Sequence, residues 1–393
     1  MNPPPLFIGI DHASRRKWNR NVCGDVILSM RLPDEERVVA VLSDGLGSGI
    51  KAHMLATMTA RMALRFAAAG GDFLRAAEVM MEALPVCRKT QFSYATFSIV
   101  ECDQDGGIRV VEEGNPECLV MRGGRPLRIP HRRMASGRFP ERSLLVSETR
   151  LELGDRLIVC SDGVTQAGMG SGRYPAGWGT EGLLEYLADK LEKDPAVSGR
   201  ELSRAVLAQA ARMETGDLIQ DDMSCLVLCL RKPRRLLVMT GPPYDRDRDP
   251  EYAALLRAFP GRKVVCGGTT AELVSREWGR RLEMIGSSAQ NQAVPPCYRI
   301  EGVDLVTEGV LTLEQAACGL EDQSATFGTD AAARLRDLLL DSDSIEFMVG
   351  SRINEAHLDP SLPMPLENRR ELTRRIARVL GEKHLKTVSL RFI

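Results

Sequence analysis

The 393-residue chain is 44% hydrophobic and 27% charged, with a formal net charge of -1. Such a composition is that of a soluble globular protein of roughly two to three domains, and the balanced charge argues against nonspecific binding to nucleic acid or to a membrane surface. No apolar stretch is long enough to span a bilayer, and Met1-Asn-Pro-Pro-Pro-Leu6 has neither a basic segment nor an apolar signal core, so a cytoplasmic location is expected.

In the first half, short β-rich runs alternate with helical segments. Strands are expected over 38–42, 94–102, 108–112, 157–160 and 223–230, separated by turn signals such as Asp103-Gln-Asp-Gly-Gly107 and Glu113-Gly-Asn-Pro116. A helix is expected from Ile50 to about Ala69. Met54, Met58 and Met62 recur there every four residues, flanked by Leu55 and Phe66, and read as its core face. Two more helices are expected over 182–193 and 200–215. The charged, Pro-containing Arg231-Lys-Pro-Arg-Arg235 is the best domain boundary and divides 1–232 from 236–393.

Beyond it the pattern becomes regular βα alternation. Strands over 236–239, 263–266, 303–306, 345–349 and 387–392 alternate with helices over 251–258, 270–278, 313–320, 331–340 and 368–380. This pattern argues for a layered α/β domain with a largely parallel sheet. Thr269-x-x-Glu272 and Thr312-x-x-Gln315 read as helix-capping boxes. The ten cysteines lie mostly in apolar runs, without a CxxC pair or zinc spacing; Cys225 and Cys229 share a strand face and read as buried reduced thiols.

Four acidic motifs carry the chemistry: Cys23-Gly24-Asp25, Asp44-Gly45-Leu46-Gly47-Ser48-Gly49, Asp162-Gly163 and Asp221-Asp222. Each acid sits at the edge of an apolar run or beside a tight turn. Acids at the ends of buried strands repel one another unless something positive lies between them, and a pair of hard divalent cations is the natural filler. The glycines after Asp44 let the backbone turn and leave a carbonyl accessible, and Ser48 can cap the helix that follows. Any single Asp-Gly is far more often a turn than a metal site. Four such positions could hold two octahedral ions sharing a water of lowered pKa, beside a phosphoryl group whose charge the ions neutralise.

These motifs, in this order, resemble those of the metal-dependent protein serine/threonine phosphatases of type 2C, and most of all the bacterial stage II sporulation protein E branch. The resemblance covers about residues 1–232 and rests on Leu42-Ser-Asp-Gly-Leu-Gly-Ser-Gly-Ile-Lys-Ala52, Gly154-Asp-Arg-Leu-Ile-Val-Cys-Ser-Asp-Gly163 and Asp221-Asp-Met-Ser224. It implies a β-sandwich flanked by helices, two Mn2+ or Mg2+ ions, and hydrolysis of phosphoserine or phosphothreonine on a protein substrate without a phosphoenzyme. Carried over by residue, Asp44 bridges the two ions, the Gly45 carbonyl completes one site, and Asp162 and Asp221 hold the other. Asp25 matches the first acid of the family, acting through metal-bound water, and Asp222 is either a ligand or an orienting group. Arg20 is the nearest candidate for contact with phosphate; a solvated basic face over 15–20 is the other reading. The alternatives are a metal-dependent phosphatase of a small phosphate ester and a non-catalytic signalling module that retains the fold. Control by the C-terminal domain or by self-association as a homodimer is expected.

The C-terminal domain carries no catalytic motif. Its strands run into Thr240-Gly-Pro-Pro-Tyr-Asp245, Gly267-Gly-Thr-Thr270, Thr307-Glu-Gly309 and Gly350-Ser-Arg-Ile-Asn-Glu355. The crevice beyond such strand ends is the usual ligand site of open α/β sheets. Gly267 and Gly268, followed by Thr269 and Thr270, would point helix N–H groups at an anion. The expectation is a site for a phosphate-bearing or acidic metabolite built from Gly267, Gly268, Thr269, Thr270 and Glu308, with ordinary βα turns as the alternative. His357 nearby reads as a surface residue.

Overall fold

The central strands of both N-terminal sheets are buried on both faces, and this decides how the acids meet. The computed structural model describes residues 6–32, 37–69, 73–83, 95–135, 143–285, 297–321, 331–352 and 365–393. Residue 94, residues 353–355 and His357, singled out above, lie outside the described residues. The chain divides into two compact units, Met1–Lys232 and Pro233–Ile393.

In the first unit, β2 (Val26–Leu32), β3 (Arg37–Gly45), β4 (Ala95–Asp103), β5 (Gly107–Glu113), β9 (Ser143–Arg150) and β8 (His131–Ala135) form one antiparallel sheet in that order. The second sheet runs β1 (Phe7–Arg15), β11 (Met223–Arg231), β10 (Arg156–Cys160), β6 (Leu119–Arg122), β7 (Arg125–Leu127). Val39, Val41, Phe97 and Ile99 pack on α1 (Ile50–Ala68) and α2 (Phe73–Ala83). Because side chains alternate along a strand, Val38, Ala40 and Leu42 point the other way, and they too are buried. In β11, Cys225, Val227 and Cys229 pack on α4 (Gly179–Lys193) and α5 (Gly199–Met213), while Leu226, Leu228 and Leu230 are buried on the opposite face. The layers are therefore helix, sheet, sheet, helix: a β-sandwich flanked by helices. Both Cys225 and Cys229 are free thiols.

The methionine stripe of α1 does not face the core. Ala52, Ala56, Ala60, Ala63 and Ala67 are buried, whereas Met54 and Met58 are 59% and 56% exposed and Met62 is only partly buried. Spacing of four shows that residues share a face, not which face is covered. The closeness of the helix to the sheet selects the small residues. A Cβ on Gly45, at the end of β3, would fall 2.1 Å from the Ala52 carbonyl oxygen. Ala60→Leu is therefore expected to cost about 1–3 kcal/mol through overpacking, and Met58→Gln to stay within about 0.5 kcal/mol of the parent. Denaturant midpoints of the two variants check this order.

Glu112 of β5 is a buried carboxylate without a cationic partner among the described residues. Its Oε1 accepts from Ser98 Oγ (3.2 Å) and its Oε2 from the Cys118 N–H (3.2 Å). Burial nevertheless pushes its pKa from 4.5 up to about 7. The folded state thus prefers the protonated form: the stabilising contribution is complete below the ordinary value and is lost as pH rises through about 7. Glu112→Gln is expected to be more stable than the parent at about pH 8, by on the order of 2–3 kcal/mol, and nearly equal to it at about pH 4. Urea unfolding at the two pH values measures the difference.

In the second unit, β12 (Arg235–Thr240), β13 (Arg262–Cys266), β16 (Leu305–Thr307), β17 (Ser344–Val349) and β18 (Thr387–Phe392) are parallel, with β14 (Glu283–Ile285) and β15 (Cys297–Arg299) antiparallel at one edge. The order is β14-β15-β16-β13-β12-β17-β18. Leu237 and Met239 pack on α6 (Asp249–Ala258) and α7 (Gly268–Trp278). Leu236 and Val238 pack on the opposite layer, α8 (Val310–Glu321), α9 (Ala331–Leu340) and α10 (Pro365–Glu382). Neither expected capping box forms. α7 begins at Gly268 behind Gly267, without a side-chain cap, and α8 begins at Val310. Thr269 and Thr312 therefore fall inside first turns, where they cannot act as N-caps.

Candidate active site

Register brings the acids together in pairs. Val26 pairs with Ser43 across β2 and β3, so Asp25 lies opposite Asp44 at one end of the first sheet. In the second sheet Cys160 pairs with Cys225, and the Ser161 N–H donates to the Ser224 carbonyl (3.0 Å) while the Ser224 N–H donates to Ser161 Oγ (2.9 Å). These bonds fix Asp162, the first residue of the short helix α3 (Asp162–Thr165), beside Asp221 and Asp222. A Cβ on Gly163 would meet the Asp222 carbonyl oxygen at 2.1 Å, so a larger residue would part the two segments.

The electrostatics show that the pairs converge. Burial pushes Asp44 up to about 10, and the charges of Asp25, Asp162 and Asp221 add to the shift. Asp25 is pushed up to about 6, first by burial, with the Ser161 and Ser224 hydroxyls offsetting part of the shift and the Asp222 charge adding to it. Asp221 is raised mainly by burial, with Asp162 and Asp222 contributing and Lys17 opposing. Among the described residues both oxygens of Asp25, Oδ1 of Asp162 and Oδ2 of Asp222 are buried without a hydrogen-bond partner at bonding distance. Buried carboxylate oxygens without donors are costly, and together these define a place for positive charge.

The donor set suits hard divalent cations. Among the described residues no group of three His, Cys, Asp or Glu side chains is arranged to hold a metal ion by itself. The available groups are carboxylates from four chain segments and the Gly45 carbonyl next to Asp44, the open oxygen set of an ion that keeps several waters. Some supporting contacts escape the motif reading. Gln166 Nε2 donates to Asp162 Oδ2 (2.9 Å), the Lys17 N–H donates to Asp222 Oδ1 (2.8 Å), and the Asp222 N–H donates to Asp221 Oδ1 (2.9 Å). His53 Nδ1 is 2.9 Å from the Cys23 carbonyl oxygen. The i,i+4 spacing of Asp162 and Gln166 is a signal the sequence does carry; the other contacts are long-range or involve the backbone.

Arg20 comes to the glycine-rich turn, where its Nε donates to Ser48 Oγ (2.9 Å). Ser48 therefore does not cap α1, whose N-cap is Gly49 with no side-chain bond. In the second unit, Gly267, Gly268, Thr269 and Thr270 form the β13–α7 turn. The Gly267 N–H donates to the Thr307 carbonyl (2.8 Å), which places the turn beside Glu308 at the end of β16. Tyr298 Oη donates to Glu308 Oε1 (3.4 Å).

The model of the family "Stage II sporulation protein E (SpoIIE)" matches residues 34–231. Stage II sporulation protein E of Bacillus subtilis (strain 168) is 24% identical over 221 residues, 56% of this chain and 25% of that protein. The protein of the same name from Priestia megaterium is 24% identical over 224 residues, 57% of this chain and 36% of its own length. The chain thus spans a quarter to about a third of these relatives. Among solved structures, the PP2C phosphatase domain of Bacillus subtilis SpoIIE with a fragment of its regulatory domain is similar at a TM-score of 0.49 and 21% identity, covering 58% of this chain and 65% of that one. Asp44, Asp162, Asp221 and Asp222 all fall within the matched residues, and the chain belongs to the stage II sporulation protein E family of PP2C-type phosphatase domains.

Proposed function

We propose that the first unit hydrolyses phosphoserine or phosphothreonine on a bacterial regulatory protein in the cytoplasm, using two manganese or magnesium ions. The observation that carries this reading is the buried acid cluster around Asp44, whose carboxyl is pushed up to about 10 by burial and by three other aspartates. When bound, such ions neutralise charge on a phosphoryl group and make water a nucleophile near neutral pH. Asp44 and the Gly45 carbonyl would hold them from the first sheet, and Asp162 and Asp221 from the second.

The remaining residues orient these donors. Gln166 occupies Asp162 Oδ2 and leaves Oδ1 to the cluster; the Lys17 N–H likewise occupies Asp222 Oδ1 and leaves Oδ2. Asp25, with both oxygens unbonded, is suited to hold and orient water. Arg20, fixed by Ser48, can offer its remaining N–H groups to phosphate oxygens. Cys23, a thiol at the site, is poorly suited to be the nucleophile. Burial and the charges of Asp25 and Asp222 push that thiol well above its ordinary range and keep it protonated. Among the described residues no helix is long and apolar enough to cross a membrane. Among its described residues the second unit has no such acid cluster, and we assign it to control of the first.

A phosphoserine peptide and sugar phosphates, each offered to the full chain with manganese, separate a protein phosphatase from a phosphatase of small esters. The peptide is expected to have the higher kcat/KM. Preference for the sugar phosphates would overturn the assignment.

A further inference from the structure

In the second unit β12 comes first in the chain; β13 and β16 follow to one side of it and β17 and β18 to the other. This is the doubly wound order 3-2-1-4-5, and ligands of such sheets bind beyond the carboxyl ends of the strands where the winding reverses. Here that point lies between Thr240-Gly241-Pro242 after β12 and residues 350–352 after β17. The two segments touch through backbone. A Cβ on Gly350 would lie 2.1 Å from the Pro242 carbonyl oxygen, and the Arg352 N–H donates to that same oxygen (3.3 Å).

Arg369 of α10 reaches this point. Its Nη1 donates to the Gly350 carbonyl (3.3 Å), and a Cβ on Gly241, whose φ is 78°, would fall 2.1 Å from Nη1. Among the described residues its Nε is buried without a partner and it makes no ion pair. Burial pushes its pKa down, opposed only by Tyr252. A guanidinium partly withdrawn from water without a carboxylate is costly. Among the described residues the hydroxyls of Thr240, at the end of β12, and of Thr270, in the first turn of α7, are also buried without partners.

Outside these groups a cleft of about 350 Å³ is lined by Pro242, Arg246, Asp249, Thr269, Glu272, Arg276 and Arg352. Asp249, whose side chain is 5% exposed, binds Arg276 (2.8 Å) and Arg352 (3.0 Å) and fixes both forks. Arg276 also pairs with Glu277. Arg246 has no ion pair among the described residues. The cations left without a carboxylate among the described residues are thus Arg246, on the cleft wall, and Arg369, at the adjacent β12–β17 edge against Gly241 and Gly350, while Arg352 faces the cleft with its fork held by Asp249. The start of α7, with no side-chain cap, adds its N-terminal dipole.

We propose that the second unit binds a phosphate-bearing small molecule at this switch point, with Arg352 and Arg369 holding the phosphate. The cleft matches a mononucleotide or a sugar phosphate, near the lower end of small-molecule sites. This moves the centre of the site from the Gly267–Gly268 turn expected from sequence to the adjacent β12–β17 edge.

Calorimetric titration of the full chain, in chelator so that divalent ions leave the first unit, tests the proposal with AMP, glucose 6-phosphate, inorganic phosphate and malonate as probes. At least one phosphate probe is expected to bind saturably, with affinity falling at least about tenfold in Arg352→Gln and in Arg369→Met. Arg369→Met should also leave the melting temperature of the unliganded protein unchanged or raise it, because it removes a partly desolvated charge that has no carboxylate partner among the described residues. A purely structural arginine would lower it. The proposal is overturned by silence from every phosphate probe, by unchanged binding in both variants, by preference for malonate, or by a lower melting temperature of unliganded Arg369→Met.

Discussion

Asp44→Asn is expected to lower phosphomonoester hydrolysis by about 10³-fold or more and, in the same protein, to raise stability when divalent ions are removed. The sign follows from the carboxyl group itself. Burial and the charges of Asp25, Asp162 and Asp221 push its pKa from 3.8 up to about 10, so the ion-free fold favours the protonated form. That contribution is complete below the ordinary value and is progressively lost as pH rises toward about 10. Asparagine cannot ionise and escapes the loss. Without divalent ions the variant should therefore melt above the parent at about pH 7–8, with the gap closing near about pH 4. Excess manganese should reverse the order, because a ligand of the folded state stabilises the parent by mass action. Thermal melts with and without manganese read both effects. A destabilised ion-free variant would mean that Asp44 is held by contacts other than those described.

Gly45→Ala should be the most damaging single-methyl change in the first unit. The added Cβ would lie 2.1 Å from the Ala52 carbonyl oxygen, 2.6 Å from its carbon and 2.8 Å from the Ala52 Cα, all backbone atoms. No side-chain rotation relieves such a contact, so α1 must move away from β3. A cost of about 3 kcal/mol or more is expected, a fall in melting temperature of roughly 6–12 °C for a unit of this size. Activity should fall as well, since Asp44 precedes the displaced residue. A parental melting temperature would show that α1 and β3 are further apart than described.

The acids were legible because each adjoins an apolar run or a turn, which binds a local pattern to a local structure. Their pairing was not. That Asp25 lies opposite Asp44 follows from the Val26–Ser43 register, and strand β1 is completed only by β11, whose residues lie more than two hundred positions later. Gly9 and the polar Asp11 and His12 hide β1 among turn-like residues, while Arg231 packs close against Gly9. The α1 stripe shows a different limit. Spacing placed Met54, Met58 and Met62 on one face, but the short distance to β3 gave the buried face to alanine. In the second unit the βα alternation was visible along the chain, whereas the insertion of β17 beside β12, which puts Arg369 at the carboxyl end of β12, is a property of strand order alone.

Manganese binding, counted by calorimetry or by paramagnetic resonance of the free ion, bears most directly on the central claim that the acids of the two sheets form one two-ion site. The parent protein should take up two ions per chain, and Asp44→Asn should lose binding at both, because Asp44 faces Asp25 from its own sheet and Asp162 and Asp221 from the other. Uptake that is absent in the parent, or that persists unchanged in Asp44→Asn, would contradict the account.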